Sequence, residues 1–462
     1  MMRRTSVLAA LLLGACSLEP KYVAPTPAVP ASWPVGDPAL KASEAALPTL
    51  GYRDVFGDPR LQSLIERGLK NNQDVQLAVA NITSARGLYR IQRAALLPAI
   101  DATAGISIRD GGTTGTGSPT TTYSADVGTS GFEIDLFGRV RSLNHAALNN
   151  YFATEAAARA VRLTLVSDIA DAYFTFATDR TLLAIARETA SSAERSVTLT
   201  RARLQGGIAP RTDLRQAETV LATAQSDVAN LTTIVQQDRN ALDLLVGAPV
   251  TDADLPENIE SVENTIKPVP AGLDSSILLR RPDVVEAEFR LRATNAQIGA
   301  ARAAFFPRIT LTGLAGFAST ALGSLFTGNA FNFTVAPNAT LPLFDGGANQ
   351  GNLTNARGQF DAATANYQKT VQVAFRDVAN ALARRATIAD QTNAQTRLEA
   401  AAADTAALTE ARYRGGVASF LESLDAQRSL YSARRSLAAT RLLRASNLVD
   451  LYRSIGGDPT LG

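Results

Sequence analysis

Arg203-Leu204-Gln205-Gly206-Gly207-Ile208-Ala209 returns as Arg412-Tyr413-Arg414-Gly415-Gly416-Val417-Ala418, 209 positions further on. Self-similarity at a fixed offset is the mark of a duplicated architecture. The same offset carries Leu97-Pro98 onto Phe306-Pro307 and Asp74-Val75 onto Asp283-Val284, while Leu136-Phe137 reappears as Leu343-Phe344 at an offset of 207. The chain is two copies of one unit. In each copy the Gly-Gly pair reads as a tight helix–helix turn, since glycine reaches positive φ without steric cost.

Long helices flank these turns. No proline interrupts Gly138 to Gln205 or Gly347 to Arg414, and alanine is abundant in both. At a rise of about 1.5 Å per residue each stretch is about 100 Å long. The chain then reverses into second helices reaching Leu245 and about Ser454, and patterns of this length read as coiled coils or helical bundles. Upstream, helical spacing of apolar residues runs from about Pro59 to Leu97 and from about Pro282 to Phe306. Pro98 and Pro307 end these helices, because proline lacks the backbone donor and pushes its predecessor out of the helical region. Arg280-Arg281-Pro282-Asp283 reads as a helix start, with Pro282 at the first position.

After each proline the period becomes two. Ile100, Ala102, Ala104, Ile106 and Ile108 alternate with polar residues, as do Ile309 and Leu311, and then Phe331, Phe333, Val335, Ala339 and Leu341. Four strands are predicted, at about 99–109, 122–136, 308–317 and 331–343. The second changes phase between Val127 and Phe132, which a bulge around Gly128 to Gly131 reconciles. Runs of about ten alternating residues fit strands crossing an outer membrane, with 110–122 and 318–330 as outward-facing loops. A half-buried sheet on a soluble domain gives the same alternation. Inside a membrane, four strands leave unpaired edges, and unsatisfied backbone groups there cost several kcal/mol each. The membrane reading therefore requires an oligomer; eight, twelve or sixteen strands all remain open.

The N-terminus supplies a location. Arg3, Arg4 and the apolar run Val7 to Leu13 precede Leu13-Gly14-Ala15-Cys16, the parts of a bacterial lipoprotein signal. Cys16, the sole cysteine, is expected to carry S-diacylglycerol and an N-acyl chain, and two or more chains give stable anchoring. Ser17 is not the aspartate that holds such lipoproteins at the inner membrane, so the periplasmic face of the outer membrane is the expected destination. Pro20, Pro25, Pro27, Pro30, Pro34 and Pro38 make the following segment an extended strap, with Trp33 pinning it. Residues 1–15 are thus a signal peptide, 16–58 the anchored strap, 59–254 and 275–456 the repeats, 255–274 a linker and 457–462 a tail.

Composition excludes other classes. Lys plus Arg total 45 against 43 for Asp plus Glu, a balance unlike a nucleic-acid surface. One cysteine allows no intramolecular disulfide. His145 is the only histidine, so no histidine-rich metal site or imidazole pair exists, and no nucleophile elbow or phosphate loop appears. Neither an enzyme nor a cofactor beyond the covalent lipid is expected.

The lipobox at Cys16, Phe132-Glu133-Ile134-Asp135-Leu136-Phe137-Gly138, Arg280-Arg281-Pro282-Asp283-Val284, Phe306-Pro307, Leu343-Phe344-Asp345-Gly346-Gly347 and the two Gly-Gly tips together resemble the outer-membrane factors of tripartite efflux systems. The resemblance is to the TolC/OprM-like family, in its NodT-like lipoprotein branch, and covers essentially the whole mature chain. It implies a mainly α protein with a transmembrane β portion: a homotrimer whose twelve-stranded barrel continues into a twelve-helix periplasmic tunnel. It also implies a periplasmic adaptor and an inner-membrane transporter as partners, besides outer-membrane lipid. In such channels acidic, arginine and tyrosine residues hold the periplasmic aperture shut. The matching positions are Asp213, Tyr413, Glu422 and Asp425, but the family's arginine falls on Ala418, leaving Arg211 or Arg414 as substitutes. Helix capping by Asp213 and by Ser419 with Glu422, and burial of Tyr413 in a core, account for the same residues. Gly206, Gly207, Gly415 and Gly416 are the candidates for adaptor contact. Two other functions are compatible with the sequence: a type I protein secretion channel, and a lipid-anchored coiled-coil scaffold without a pore.

Overall fold

The computed structural model describes residues 17–26, 29, 51–109, 119–267, 275–456, 458 and 461. Cys16, Trp33, the signal segment and most of the strap and of the first outward loop lie outside them. Among the described residues, seven α-helices longer than one turn carry the chain: α1 (Pro59–Asn71), α2 (Gln73–Ala94), α3 (Arg139–Gln205), α4 (Arg211–Val246), α5 (Pro282–Ala303), α6 (Ala348–Arg414) and α7 (Phe420–Ile455). Four strands accompany them: β1 (Asp101–Arg109), β2 (Thr120–Ile134), β3 (Arg308–Ser319) and β4 (Phe331–Thr340). The duplication is kept to the residue. The helices α5, α6 and α7 begin and end 209 positions after α2, α3 and α4, at shared lengths of 22, 67 and 36 residues.

The chain forms two compact units. Among the described residues, the first holds 17–26, 80–109, 119–155 and 286–369. Its sheet has the order β1-β2-β3-β4, antiparallel throughout. Residues directly opposite each other share a face, and the register brings the apolar phases of all four strands together. Ala104 faces Ala125, Ala125 faces Phe317, and Phe317 faces Phe331. The other face carries Asp126, Glu133, Asn332 and Asn338. The expected bulge lies between Thr129 and Phe132, with Gly131 at φ +72° and its N–H donating to Thr312 Oγ1 at 3.2 Å. It moves Phe132 and Ile134 onto the face of Val127, which the alternation alone would forbid. Every residue of β1 and β4, the two edges, is exposed.

Where strands give way to helices, Phe137 stacks on Phe306 at 4.7 Å. Arg139 grips Glu133 with two bonds of 2.8 and 2.6 Å, and the Asp345 carboxylate accepts the amides of Gly347 and Asn349 at the start of α6. Leu343 and Phe344, the repeat counterparts of Leu136 and Phe137, are 90% and 92% exposed. Residues 17–26 lie along this unit. The Pro20 carbonyl accepts from Asn295 at 2.8 Å, Glu19 meets His145 at 2.9 Å, and Arg292 stands 5.1 Å over the Tyr22 ring. A side chain on Gly299 would come within 2.7 Å of Glu19.

Among the described residues, the second unit holds 29, 51–79, 156–267, 275–285, 370–456, 458 and 461. Its core includes Phe56, Leu61, Leu64, Ile65, Ile169, Tyr173, Leu242, Ile259 and Leu278, all less than 2% exposed. Asp58 caps α1 by accepting from the Arg60 amide at 2.9 Å and takes the Tyr173 hydroxyl at 2.8 Å. Burial acts to raise the Asp58 carboxyl, but the bonds from Arg60 and Tyr173 outweigh it and hold the group below its usual range.

One expectation is corrected here. The helical run from Pro59 does not continue unbroken to Leu97: it breaks at Asn72, which is extended at ψ 134°. The Asn72 side chain caps α2 by accepting from the Asp74 and Val75 amides at 2.8 and 3.3 Å, and donates to the Leu245 carbonyl at 2.9 Å. Its repeat counterpart is Arg281, which donates to the carbonyl of Ser454, 209 positions after Leu245, at 3.0 Å. Asparagine and arginine thus perform one task in the two repeats. Among the described residues no helix is long and apolar enough to cross a membrane.

Candidate functional site

The two hairpin tips lie in the second unit and are built alike. In the first, Gly206 donates to the Ala202 carbonyl at 2.9 Å, Gly207 to Leu204 and Ile208 to Arg203 at 3.0 Å each. In the second, Gly415 donates to Ala411, Gly416 to Tyr413 and Val417 to Arg412, at 2.9, 3.0 and 2.9 Å. Gly207 and Gly416 take φ of +75° and +77°. These bonds satisfy carbonyls that a helix end leaves open. Each turn ends on an exposed apolar residue, Ile208 or Val417.

The residues expected at the aperture separate into two groups. Tyr413 is buried in a cluster with Val197, Leu214, Ala217, Phe420 and Leu424. Its hydroxyl lies 3.5 Å from Thr200 Oγ1 and its ring 5.4 Å from Phe420. Tyr413 therefore holds the tips together from inside, and no bond joins it to Asp213. The remaining residues are at the surface. Asp213 sits in the first turn of α4 and Asp425 one turn into α7, and neither carboxylate has a hydrogen bond or ion pair among the described residues. Glu422 shares a capping arrangement with Ser419, whose hydroxyl accepts the Glu422 amide at 3.3 Å and donates to its carboxylate at 3.2 Å. Arg414 is occupied by Glu410 one turn earlier, and Arg211 is exposed without a bond.

One arginine that the sequence reading passed over does the cross-linking. The Arg203 guanidinium lies 4.4 Å from the Tyr413 ring centroid and donates to the carbonyls of Tyr413 and Arg414, both at 3.1 Å. It ties the end of α3 to the end of α6. Arg412, its repeat counterpart, reaches only the Glu422 carboxylate, at 3.9 Å, and is 58% exposed. Both arginines open the repeated heptapeptide, so their positions were visible; their reach was not.

Farther from the tips, α7 is fastened to each of the other three long helices. Tyr431 donates to Asp227 on α4 at 2.7 Å, and Arg434 bridges Glu188 on α3 at 2.9 Å and Glu399 on α6 at 3.3 Å. Between α3 and α4, the Asp238 carboxyl is pushed up to about 7, by burial first and then because its protonated form donates to the Asp179 carboxylate; burial raises Asp179 as well. Burial also pushes Asp171 up to about 6.

Comparison with known proteins agrees with this construction. The family model described as outer membrane efflux protein matches residues 64–248 and 273–457, two segments whose starts lie 209 positions apart. The chain is 42% identical over 455 residues to the antibiotic efflux pump outer membrane protein ArpC of Pseudomonas putida, covering 97% of this chain and 94% of that one. It is 38% identical over 457 residues to the outer membrane protein OprJ of Pseudomonas aeruginosa, covering 98% and 95%. Among solved structures it resembles the open state of the MtrE outer membrane channel of Neisseria gonorrhoeae, with a TM-score of 0.86, 37% identity and coverage of 96% and 98%. Two matched segments that coincide with the two repeats, and relatives matched over nearly their whole length, place this chain in the outer membrane efflux protein family.

Proposed function

We propose that this outer-membrane efflux channel works as the passive export duct of a tripartite pump, a homotrimer docked to a periplasmic adaptor and an inner-membrane transporter. The observation that carries this reading is the four-stranded sheet, apolar on one face and polar on the other, with both edges unpaired. Three copies joined edge to edge make a closed twelve-stranded barrel with lipid outside and a polar lumen inside. The repeat supports the manner of joining. Within the chain, Phe137 of the first repeat packs on Phe306 of the second; between chains, the counterparts are the exposed Phe344 and, 209 positions before Phe306, the exposed Leu97.

Cys16 carries the lipid that tethers the strap to the periplasmic leaflet, and the helical hairpins occupy the periplasm. The glycine tips, with Ile208 and Val417 beside them, are the contact for the adaptor. Asp213, Glu422 and Asp425 form acidic rings about the trimer axis, which close the aperture and favour cations. The cargo belongs to the class named in the relatives, which include pumps for antibiotics and for solvents: small organic molecules.

The test is single-channel conductance of the acylated protein in planar bilayers, with wild type compared against a combined Asp213→Ala, Glu422→Ala, Asp425→Ala variant. A small cation-selective conductance that rises several-fold and loses selectivity in the variant is expected. No conductance from well-folded oligomers of either form overturns the duct.

A further inference from the structure

The Arg203 clamp joins a first-repeat hairpin to a second-repeat hairpin, and only one such junction exists inside a chain. In a closed ring of three copies there are six hairpins and six junctions. Three lie within chains and three between them. At a junction between chains the second-repeat hairpin comes first and the first-repeat hairpin of the next copy follows. The residue in the place of Arg203 is then Arg412, and the carbonyls in the place of those of Tyr413 and Arg414 belong to Leu204 and Gln205.

We infer that Arg412 clamps the neighbouring copy's first hairpin, donating to the carbonyls of Leu204 and Gln205, and so supplies the arginine that Ala418 does not. The inference rests on the trimeric duct proposed above. Three observations on this chain support it. Arg412 is 58% exposed, and its one ion pair is a long contact of 3.9 Å to a carboxylate that already accepts from the Ser419 hydroxyl, so little holds it back. The Gln205 carbonyl, at the end of α3, accepts no hydrogen bond among the described residues, whereas its counterpart on Arg414 takes Arg203. The two tips also share one backbone, with matched bonds and positive-φ glycines at equivalent positions, so a guanidinium that fits one set of carbonyls fits the other.

The two kinds of junction differ in one residue. Arg203 lies over the face of Tyr413, and an arginine over an aromatic ring gains a cation–π contribution beyond its hydrogen bonds. Arg412 meets Leu204 at that place and has no ring beneath it. Junctions between copies are therefore weaker than junctions within them.

Cysteines at Arg412 and Gln205, probed with a short thiol-reactive bifunctional reagent, test this in the full acylated protein, with each single cysteine as a control. The double variant is expected to give covalent dimers and trimers in denaturing gels, and cysteines at Arg203 and Arg414 to give cross-linked monomers only. In bilayers, Arg412→Ala is expected to raise conductance several-fold, and more than Arg203→Ala. Trimers on native gels whose 412/205 cysteines give only monomers overturn the clamp and leave the duct standing. Absence of native trimers in the wild type overturns the duct itself. Should the alanine variant not assemble, the cross-link still decides.

Discussion

Gly207 and Gly247 both hold a left-handed backbone, yet a methyl group added to each meets different surroundings. At Gly207, φ +75°, the added carbon touches nothing within 4 Å; at Gly247, φ +69°, it comes within 2.7 Å of the Asn71 carbonyl oxygen. Gly207→Ala is expected to cost only the left-handed backbone penalty of about 1–2 kcal/mol, while Gly247→Ala adds a clash with rigid backbone and should exceed about 2 kcal/mol. Thermal unfolding of the two variants checks the order. The carboxyls of α3 and α4 supply a pH dependence. Asp238 is pushed to about 7 in the fold, above its unfolded value of about 3.9. The folded state thus binds the proton more tightly, and stability falls as pH rises from about 4 through 7. The melting temperature should drop between pH 5 and pH 8, and Asp238→Asn should flatten that drop. Such properties are poorly legible in a sequence. Asp238 and Asp179 stand 59 positions apart on different helices, and nothing in either neighbourhood announces that a turn at Gly206-Gly207 brings them together.

At the scale of elements the sequence was far more legible. The 67-residue helices, the Gly-Gly turns and the four strands follow from proline placement and from the switch between periods of 3.6 and 2, both purely local properties. The bulge in β2 was legible too, because two apolar residues in opposite phase had to reach one face. The break at Asn72 was not. Apolar spacing runs on across it, and only the tertiary bond to the Leu245 carbonyl shows why the chain turns there. Asn72→Ala removes the one oxygen that accepts two amides, and one donor, and should cost about 1–2 kcal/mol, seen as a lowered unfolding temperature with little change in helix content. At the hairpin tips, the sequence reading grouped Tyr413, a core residue, with surface acids that it does not touch.

For the whole molecule, unpartnered surface carries the argument. Ile106, Ile108, Phe331, Phe333 and Val335 are exposed on the edge strands, as are Ile100 just before β1 and Leu343 and Phe344 just after β4. Contiguous exposed apolar residues mark membrane or protein contact. Phe344→Asp puts a charge where a second copy is proposed to bury an aromatic ring, and an unpaired buried charge is strongly unfavourable. Loss of trimers on native gels with preserved circular dichroism is the expected outcome, whereas trimers at wild-type abundance would show that Phe344 does not sit in the joint. The N-terminal strap has a different consequence, one of order in time. The carbonyl of Pro20 is held by Asn295, 275 residues downstream, and that of Leu18 by Arg302, 284 residues downstream. Contacts at such separation form late. The segment from Ser17 to Thr26, synthesised long before its partners, is therefore among the last to be seated, and its docking marks the moment when α5 is already in place.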